Sequence, residues 1–548
     1  MTLSQIVVII SVTTGGDALS YIIKQKVGKY TYLYECTAYR NEAGEPRNKR
    51  VIIGKIDPDT GLPIYKPEYI ERMREAGTPI EVSTTEKIFS LTDVKQSTIR
   101  DYGLFHLLCN ISDRIGLTES LTGSIPGYWQ EIFMLASFLI SSGDPFLYCE
   151  QWLKDTESFP VGNMSSQRIS ELLATIKPEE REDFYKSWCS YRSEQEFLAL
   201  DITSVSTYSE LIDDGEWGYN RDHENLPQIN ICMLMGERSH LPIYQTVYSG
   251  SLKDVSTLKT TLSKFDCITE GRPVFPVMDK GFFSRKNVNA MLEDEKFKGF
   301  LIAVPFTSAF AKQQVTSECK DIDSVQNTII VNGDSIRAVT KIRAWNKKNK
   351  VFTHVYFNAK NAAEKREELY AHVAILREEA GKDPAECANN SDYTAYLNIR
   401  KSAKTKSGYT ISIQDDVINK KLKNAGWLIA ISNVIDNAKD AIHLYRDKDV
   451  VEKGFLRLKR CLDLGRLRMH KQKNMQNKVF VGFIALILLS EIHNVMSDND
   501  MYKKSTMKQL LHTLSRHRIQ EINGTRVIYP ATKEQKEIYK AFNVSEPV

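Results

Sequence analysis

Phe197-Leu-Ala-Leu-Asp201 is a short apolar run closed by a carboxylate, and at it the spacing of apolar residues changes from helical to strand-like. Ile229-Asn-Ile-Cys-Met-Leu-Met235 and Leu241-Pro-Ile-Tyr-Gln-Thr-Val-Tyr248 follow as two more strands with turns between them, and Asp254 caps a helix. A fourth strand, Val274-Phe-Pro-Val-Met278, stops at Asp279, with a glycine two residues on. A helix with Val288, Met291 and Leu292 comes next, and Gly299-Phe-Leu-Ile-Ala-Val304 is a fifth strand. Three antiparallel strands followed by alternating helix and strand predict a mixed sheet covered by helices.

Upstream, residues 98–195 carry apolar side chains at helical spacing, as in Leu104-Phe-His-Leu-Leu-Cys109 and Ile132-Phe-Met-Leu-Ala136, which predicts an α-helical domain. Nearer the start, Tyr30-Thr-Tyr-Leu-Tyr-Glu-Cys36 and Arg50-Val-Ile-Ile-Gly-Lys55 flank the turn-rich Asn41-Glu-Ala-Gly-Glu-Pro46 and read as a β-hairpin. Aromatic and basic residues share it, a mixture that suits either nucleic-acid stacking or a half-buried sheet with a solvated face. Pro58, Gly61, Pro63 and Pro67 then suggest a linker. Downstream, residues 308–425 turn β-rich, irregular and basic, with one helix near 362–379 and a basic strand pair near 401–413, and look like an insertion. A strand at Trp427-Leu-Ile-Ala-Ile431 and helices to about Ile492 complete the pattern, and the last fifty residues read as a short helix and a tail.

The 548 residues exceed one ordinary core and predict about three or four domains. With 42% hydrophobic and 26% charged residues, general disorder is excluded. Nine scattered cysteines with no C-x-x-C pair exclude a zinc ribbon and a disulfide scaffold. No Walker A or Rossmann glycine pattern is present. Ile6–Val12 reads as a strand rather than a secretion signal, since no basic region precedes it. The apolar run Val479–Leu489 is shorter than the ~20 residues of a bilayer span and reads as a buried helix. A soluble protein of a reducing compartment is expected.

Two carboxylates, Asp201 and Asp279, close neighbouring buried strands. Either alone is ordinarily a turn or cap residue, but a sheet would bring the two together at one edge, where hard oxygen ligands suit magnesium or manganese. Tyr445, Lys448, Glu452 and Lys459 fall within about 60° of one another on a helical stripe, beside a buried face of Val451, Phe455, Leu458 and Leu462. A solvated helix with ordinary ion pairs has the same pattern. Charge favours a site: residues 441–478 hold eleven Lys or Arg against four Asp or Glu, a balance of +7 where the whole chain carries +4. A strongly basic helix around a carboxylate suits an enzyme that holds phosphates next to a metal. His470, alone on a basic stretch, is left out of the catalytic set.

Leu-Ala-Leu-Asp201-Ile-Thr-Ser204, Gly218-Tyr-Asn-Arg-Asp-His-Glu-Asn-Leu-Pro-Gln-Ile229, Val-Met-Asp279-Lys-Gly281 and Tyr445-x2-Lys448-x3-Glu452-x6-Lys459 together resemble the DDE transposases of bacterial insertion sequences. The last motif resembles the Tyr-Arg-Glu-Lys signature of the subgroup with a β-strand insertion in a ribonuclease H-like catalytic domain, with Lys448 where that signature has arginine. Lysine keeps the charge and loses the planar fork. The resemblance implies a multidomain α/β chain: an N-terminal β-hairpin region and linker at 1–95, an α-helical DNA-binding domain at 96–195, and a ribonuclease H-like mixed sheet with flanking helices at 196–307. A β-rich insertion at 308–425, the rest of the catalytic core with the Glu helix at 426–495, and a C-terminal helix and tail at 496–548 follow. The 173 residues between Asp279 and Glu452 leave room for that insertion.

By the same resemblance Asp201, Asp279 and Glu452 are the catalytic and metal-binding residues for two Mg2+ or Mn2+ ions, which activate a hydroxyl and stabilise the leaving oxygen of an in-line displacement at phosphorus. Tyr445, Lys448 and Lys459 contact DNA near the transposon end, and the basic insertion contacts flanking DNA. The implied partners are double-stranded DNA, both terminal repeats and target, and a second copy in a synaptic homodimer; the implied place is the cytoplasm, at the nucleoid. Two other readings are a domesticated or weakened transposase that only binds DNA, and a ribonuclease H-like nuclease that cuts without strand transfer.

Overall fold

The computed structural model describes residues 7–9, 20–28, 30–41, 44–58, 62–75, 91–191, 197–222, 224–269, 274–295, 297–405 and 407–547. The chain forms two compact units, Met1–Ser97 and Thr98–Val548, rather than three or four. In the second unit one continuous apolar core runs from Leu104 to Val544, so the helical region, the sheet and the C-terminal elements share a single interior.

In the first unit, β1 (Val7–Ile9), β2 (Ser20–Val27), β3 (Tyr30–Arg40), β4 (Pro46–Ile56) and β5 (Pro63–Tyr65) form an antiparallel sheet in chain order. Of the strand expected at Ile6–Val12, only Val7–Ile9 lies within the described residues. Leu33 and Ile53 pack with Tyr69 of the helix Pro67–Glu75. Arg72 of that helix ion-pairs with Glu35 at 2.5 Å. The prolines expected to mark a linker sit instead where secondary structure tolerates them. Pro63 starts a short edge strand and Pro67 opens a helix, where its missing N–H costs nothing.

The second unit opens with β6 (Thr98–Asp101), and helices fill most of 103–190. The central sheet is built from β7 (Leu198–Thr207), β8 (Gln228–Gly236), β9 (Pro242–Ser249), β10 (Pro276–Met278), β11 (Leu301–Ala303), β12 (Thr328–Val331), β13 (Asp334–Ala344), β14 (Lys350–Phe357) and β17 (Trp427–Ser432). Its order is β9-β8-β7-β10-β11-β17-β14-β13-β12. β7, β8 and β9 are antiparallel, and β10 lies parallel to both β7 and β11. Strands β12–β14, expected inside a separate insertion, therefore extend the main sheet, joined to it through the β14–β17 pair. What stands apart within 308–425 is a small cluster of Val373, Leu376, Ala380, Cys387, Leu397 and Ile418. It is built on the helix Ala359–Lys382 and the hairpin of β15 (Leu397–Lys401) and β16 (Tyr409–Ile413).

The apolar run 479–489 is the middle of a 27-residue helix, Gln472–Asp498. By length and composition that helix could cross a membrane, and 78% of its most apolar window is buried inside the protein. Every residue from Val479 to Leu489 is buried, against the helix Trp129–Ser142 among others. At ~1.5–3 kcal/mol per enclosed large apolar side chain, this burial makes the helix the spine of the core. β18 (Arg466–Leu467) pairs with the far end of β7. The last fifty residues are not a tail. β19 (Arg518–Ile522) pairs with β6 and with β20 (Thr525–Ile528), and helices Met507–Ser515 and Lys533–Ala541 each begin with a threonine capping box.

Candidate active site

The register of the sheet creates the site. Met278, the last residue of β10, is opposite Leu200 of β7, so the next residues on the two parallel strands are Asp279 and Asp201. Both carboxylates thus leave the sheet side by side at the point where β10 ends. β18 meets β7 only further on, at Ser206, which leaves a gap in the strand edge beside Asp201. Asp201 Oδ1 accepts from the Ile202 N–H at 2.8 Å.

Glu452 comes from the helix Asp449–Cys461, whose Val451, Gly454, Phe455 and Leu458 are buried. Gly454 allows this helix to lie close on β8, since a Cβ there would sit 2.6 Å from the Met235 sulfur. The stripe expected on one helix is divided at Lys448. Tyr445 lies on the helix Ala438–Asp447, and Lys448 caps it and precedes the next helix. Both helices keep the apolar periodicity, and the Lys448 side chain between them is buried.

Lys448 Nζ lies 3.0 Å from Glu452 Oε1 and 3.7 Å from Asp201 Oδ2, with its side chain only 5% exposed. Tyr445 donates its hydroxyl to Asp279 Oδ1 at 2.8 Å. The five residues are one electrostatic group. Burial raises the Asp201 carboxyl above its usual range, Lys448 pulls it back, and Asp279 adds repulsion. Burial opposes the charge on Lys448, yet Asp201 and Glu452 outweigh it and hold the ammonium above its usual range. Burial, followed by the Asp279 charge, keeps the Tyr445 hydroxyl firmly protonated.

Lys459 does not reach this group. Its ammonium pairs with Asp222 at 2.5 Å, on the loop before β8. Neighbouring Arg221 donates its backbone N–H to Ser204 Oγ at 2.8 Å and pairs with Asp254 at 2.7 Å, and Arg466 pairs with Glu224 at 2.6 Å. Asp222, Arg221 and Glu224 are the residues that sequence reasoning had not singled out, although they lie within the quoted segment 218–229. Their signal was an alternation of charges in the loop between β7 and β8. His470 makes no contact with the group among the described interactions.

The donor chemistry, three carboxylates with hard oxygen ligands, fits a divalent ion; Lys448 links Asp201 and Glu452, and Tyr445 holds Asp279. Among the described residues, however, no three acidic, histidine or cysteine side chains stand within reach of one ion as they are placed. Glu452, whose side chain is 59% exposed, is turned toward Lys448, so joining the aspartates around an ion requires it to release that contact.

The family model for the transposase DDE domain matches residues 192–488, more than half of the chain. No curated protein matches. Among solved structures, the cryo-EM structure of a piggyBac transposase synaptic complex with hairpin DNA is similar at 11% identity and a TM-score of 0.33, over 64% of this chain. The chain spans 59% of that protein's length.

Proposed function

We propose, from the premise that the chain belongs to the family of transposases with a DDE domain, that it cuts the ends of an insertion sequence and joins them to target DNA by metal-dependent phosphoryl transfer. The observation that carries this reading is the β7–β10 register, which delivers Asp201 and Asp279 together at one strand edge facing Glu452. The strand order β9-β8-β7-β10-β11, three antiparallel strands and then two parallel ones, supports a ribonuclease H-like core. β17, β14, β13 and β12 then form its extension.

In this reading Asp201, Asp279 and Glu452 hold Mg2+ or Mn2+. When bound, the metal supplies Lewis acidity, lowering the pKa of an attacking hydroxyl and offsetting charge on a leaving oxygen. The chain's own residues do the positioning. Tyr445 fixes the orientation of Asp279. Lys448 offsets the mutual repulsion of Asp201 and Glu452 until another cation takes over that task. Tyr445, Lys448 and Lys459 contact phosphates near the transposon end, the last by exchanging Asp222 for a phosphate oxygen. The helical region 96–195 and the basic hairpin β15–β16 handle DNA outside the cut strand, and two copies pair two ends.

Lys448, seated on two of the three carboxylates, also favours a second reading, a chain that binds DNA without cutting it. The two are separated by incubating the protein with a labelled terminal-repeat duplex, a target plasmid and Mg2+ or Mn2+. Joined products that vanish in Asp201→Ala, Asp279→Ala and Glu452→Ala are expected. Binding without metal-dependent cutting supports the second reading, and cutting without joining reduces the protein to a nuclease.

A further inference from the structure

The first unit carries a surface that none of this chemistry uses. Among the described residues β2 begins at Ser20 opposite Thr37, and beyond that pair the described β3 and β4 form a two-stranded ribbon of Ala38–Arg40 and Pro46–Asn48. On its outer edge β4 meets β5 only between Gly54 and Ile56. Every residue from Pro46 to Ile52 is exposed. Strand alternation sets Arg47 and Lys49 on one face, opposite Tyr39 and Thr37. Asn48 and Arg50 lie on the other face, opposite Ala38 and Cys36.

Charge identifies the occupant. Residues 40–50 hold Arg40, Arg47, Lys49 and Arg50 against Glu42 and Glu45. The Arg47–Glu45 pair, at 3.0 Å, leaves both side chains 60% exposed, so it is readily exchanged. Arg40 steadies the turn by donating to the Gly44 carbonyl at 2.8 Å. Val51 and Ile52 are exposed at the base of the ribbon and make a protein the competing occupant. A protein-docking core is depleted of charge, whereas this ribbon is dominated by it.

We propose that the β3–β4 ribbon enters the major groove of duplex DNA. The assignment rests on the reading of the chain as a transposase and adds to it a DNA surface separate from the carboxylate group. Two strands ~4.8 Å apart with their side chains match a groove ~12 Å wide. Arg50 and Asn48 present the donors that read guanine O6/N7 and adenine N6/N7 edges, and Arg47, Lys49 and Arg40 reach the flanking phosphates.

The test uses the full chain in EDTA, so that no cutting intervenes, with a fluorescent mixed-sequence 30-base-pair duplex. A triple Arg47→Ala/Lys49→Ala/Arg50→Ala variant should bind at least about tenfold more weakly and lower the slope of log affinity against log salt by about two to three. Replacing guanine with 7-deazaguanine, which removes the N7 acceptor, should weaken the parent chain and leave the triple variant unchanged. An unchanged affinity and slope in the triple variant, with the parent still binding, overturns the ribbon assignment and leaves the transposase reading intact. No binding by the parent chain sinks both. Val51→Ala/Ile52→Ala should leave binding unchanged; if it lowers the oligomeric mass while the cation triple is silent, the ribbon is a protein-docking surface and the proposal fails.

Discussion

Cations are used in opposite ways at the β7 edge and along the β3–β4 ribbon. Around the β7 edge they are compensated within the fold: Lys448 by Asp201 and Glu452, Lys459 by Asp222, Arg466 by Glu224 and Arg221 by Asp254. Along β4 they stand in solvent, and Arg47, paired with Glu45, stays 60% exposed, as does its partner. A compensated cation contributes to geometry and shifts its neighbours' ionisation, and its effect survives salt. A hydrated one contributes long-range attraction that salt removes. The first arrangement suits a site that must hold repelling carboxylates together, and the second suits a surface that must find a polyanion.

Acid should separate the units most strongly. All ten histidines lie beyond residue 97. His354, buried on β14 between β13 and β17, is pushed down to about 4 by burial, with a hydrogen bond to the Ile435 backbone and the Asp436 charge pulling the other way. Its folded pKa lies below the unfolded value near 6.5, so its contribution is complete above about pH 6.5 and is lost as pH falls through about 4. At ~1.4 kcal/mol per unit, the loss approaches about 3 kcal/mol. Denaturant melts of the full chain between pH 7 and 4 should show the second unit weakening, and His354→Gln should flatten that dependence. An equal pH slope in the variant would assign the acid sensitivity elsewhere.

The sequence carried the site further than it carried the architecture. Asp201 and Asp279 were legible because an apolar run leads into each carboxylate and parallel pairing leaves them adjacent, although only β10 ends at its carboxylate, while β7 runs on past Asp201 to Thr207. The division at Lys448 was not legible, because its backbone stays in the right-handed helical region and the apolar spacing runs on unbroken. Nor could the alternation of β12–β14 name their partner. β14 pairs with β17, about seventy residues later, and local periodicity does not encode so distant a neighbour. The β19–β20 hairpin, by contrast, was within reach. Asn523-Gly524 has φ of 47° and 73°, the left-handed pair that Asn-Gly favours in a two-residue turn.

A smaller effect tests whether Lys448 and a metal answer the same charge. Lys448→Met removes the ammonium and leaves Asp201 and Glu452 facing each other. With Lys448 buried but Glu452 59% exposed, the cost should be about 1–2 kcal/mol, below that of a fully buried pair. In EDTA the melting temperature should fall by a few degrees, and Lys448→Arg should stay within about 0.5 kcal/mol of the parent. Added Mn2+ should then raise the melting temperature of the Met variant more than that of the parent. Equal gains would mean that the ammonium and the ion act at separate places.

The smallest expected effect bears most directly on the contrast between the two sets of cations. Arg47→Ala removes one half of an ion pair whose two side chains are each 60% exposed, so stability should change by less than about 0.5 kcal/mol at any salt concentration. Lys459→Ala removes a cation only 14% exposed from Asp222, and its cost should be larger, about 1 kcal/mol, and only weakly dependent on salt. Melts of both variants at 50 mM and 500 mM NaCl decide the matter. If the Arg47 variant loses stability that salt restores, the ribbon's cations are part of the fold, and the contrast between the β7 edge and the ribbon is lost.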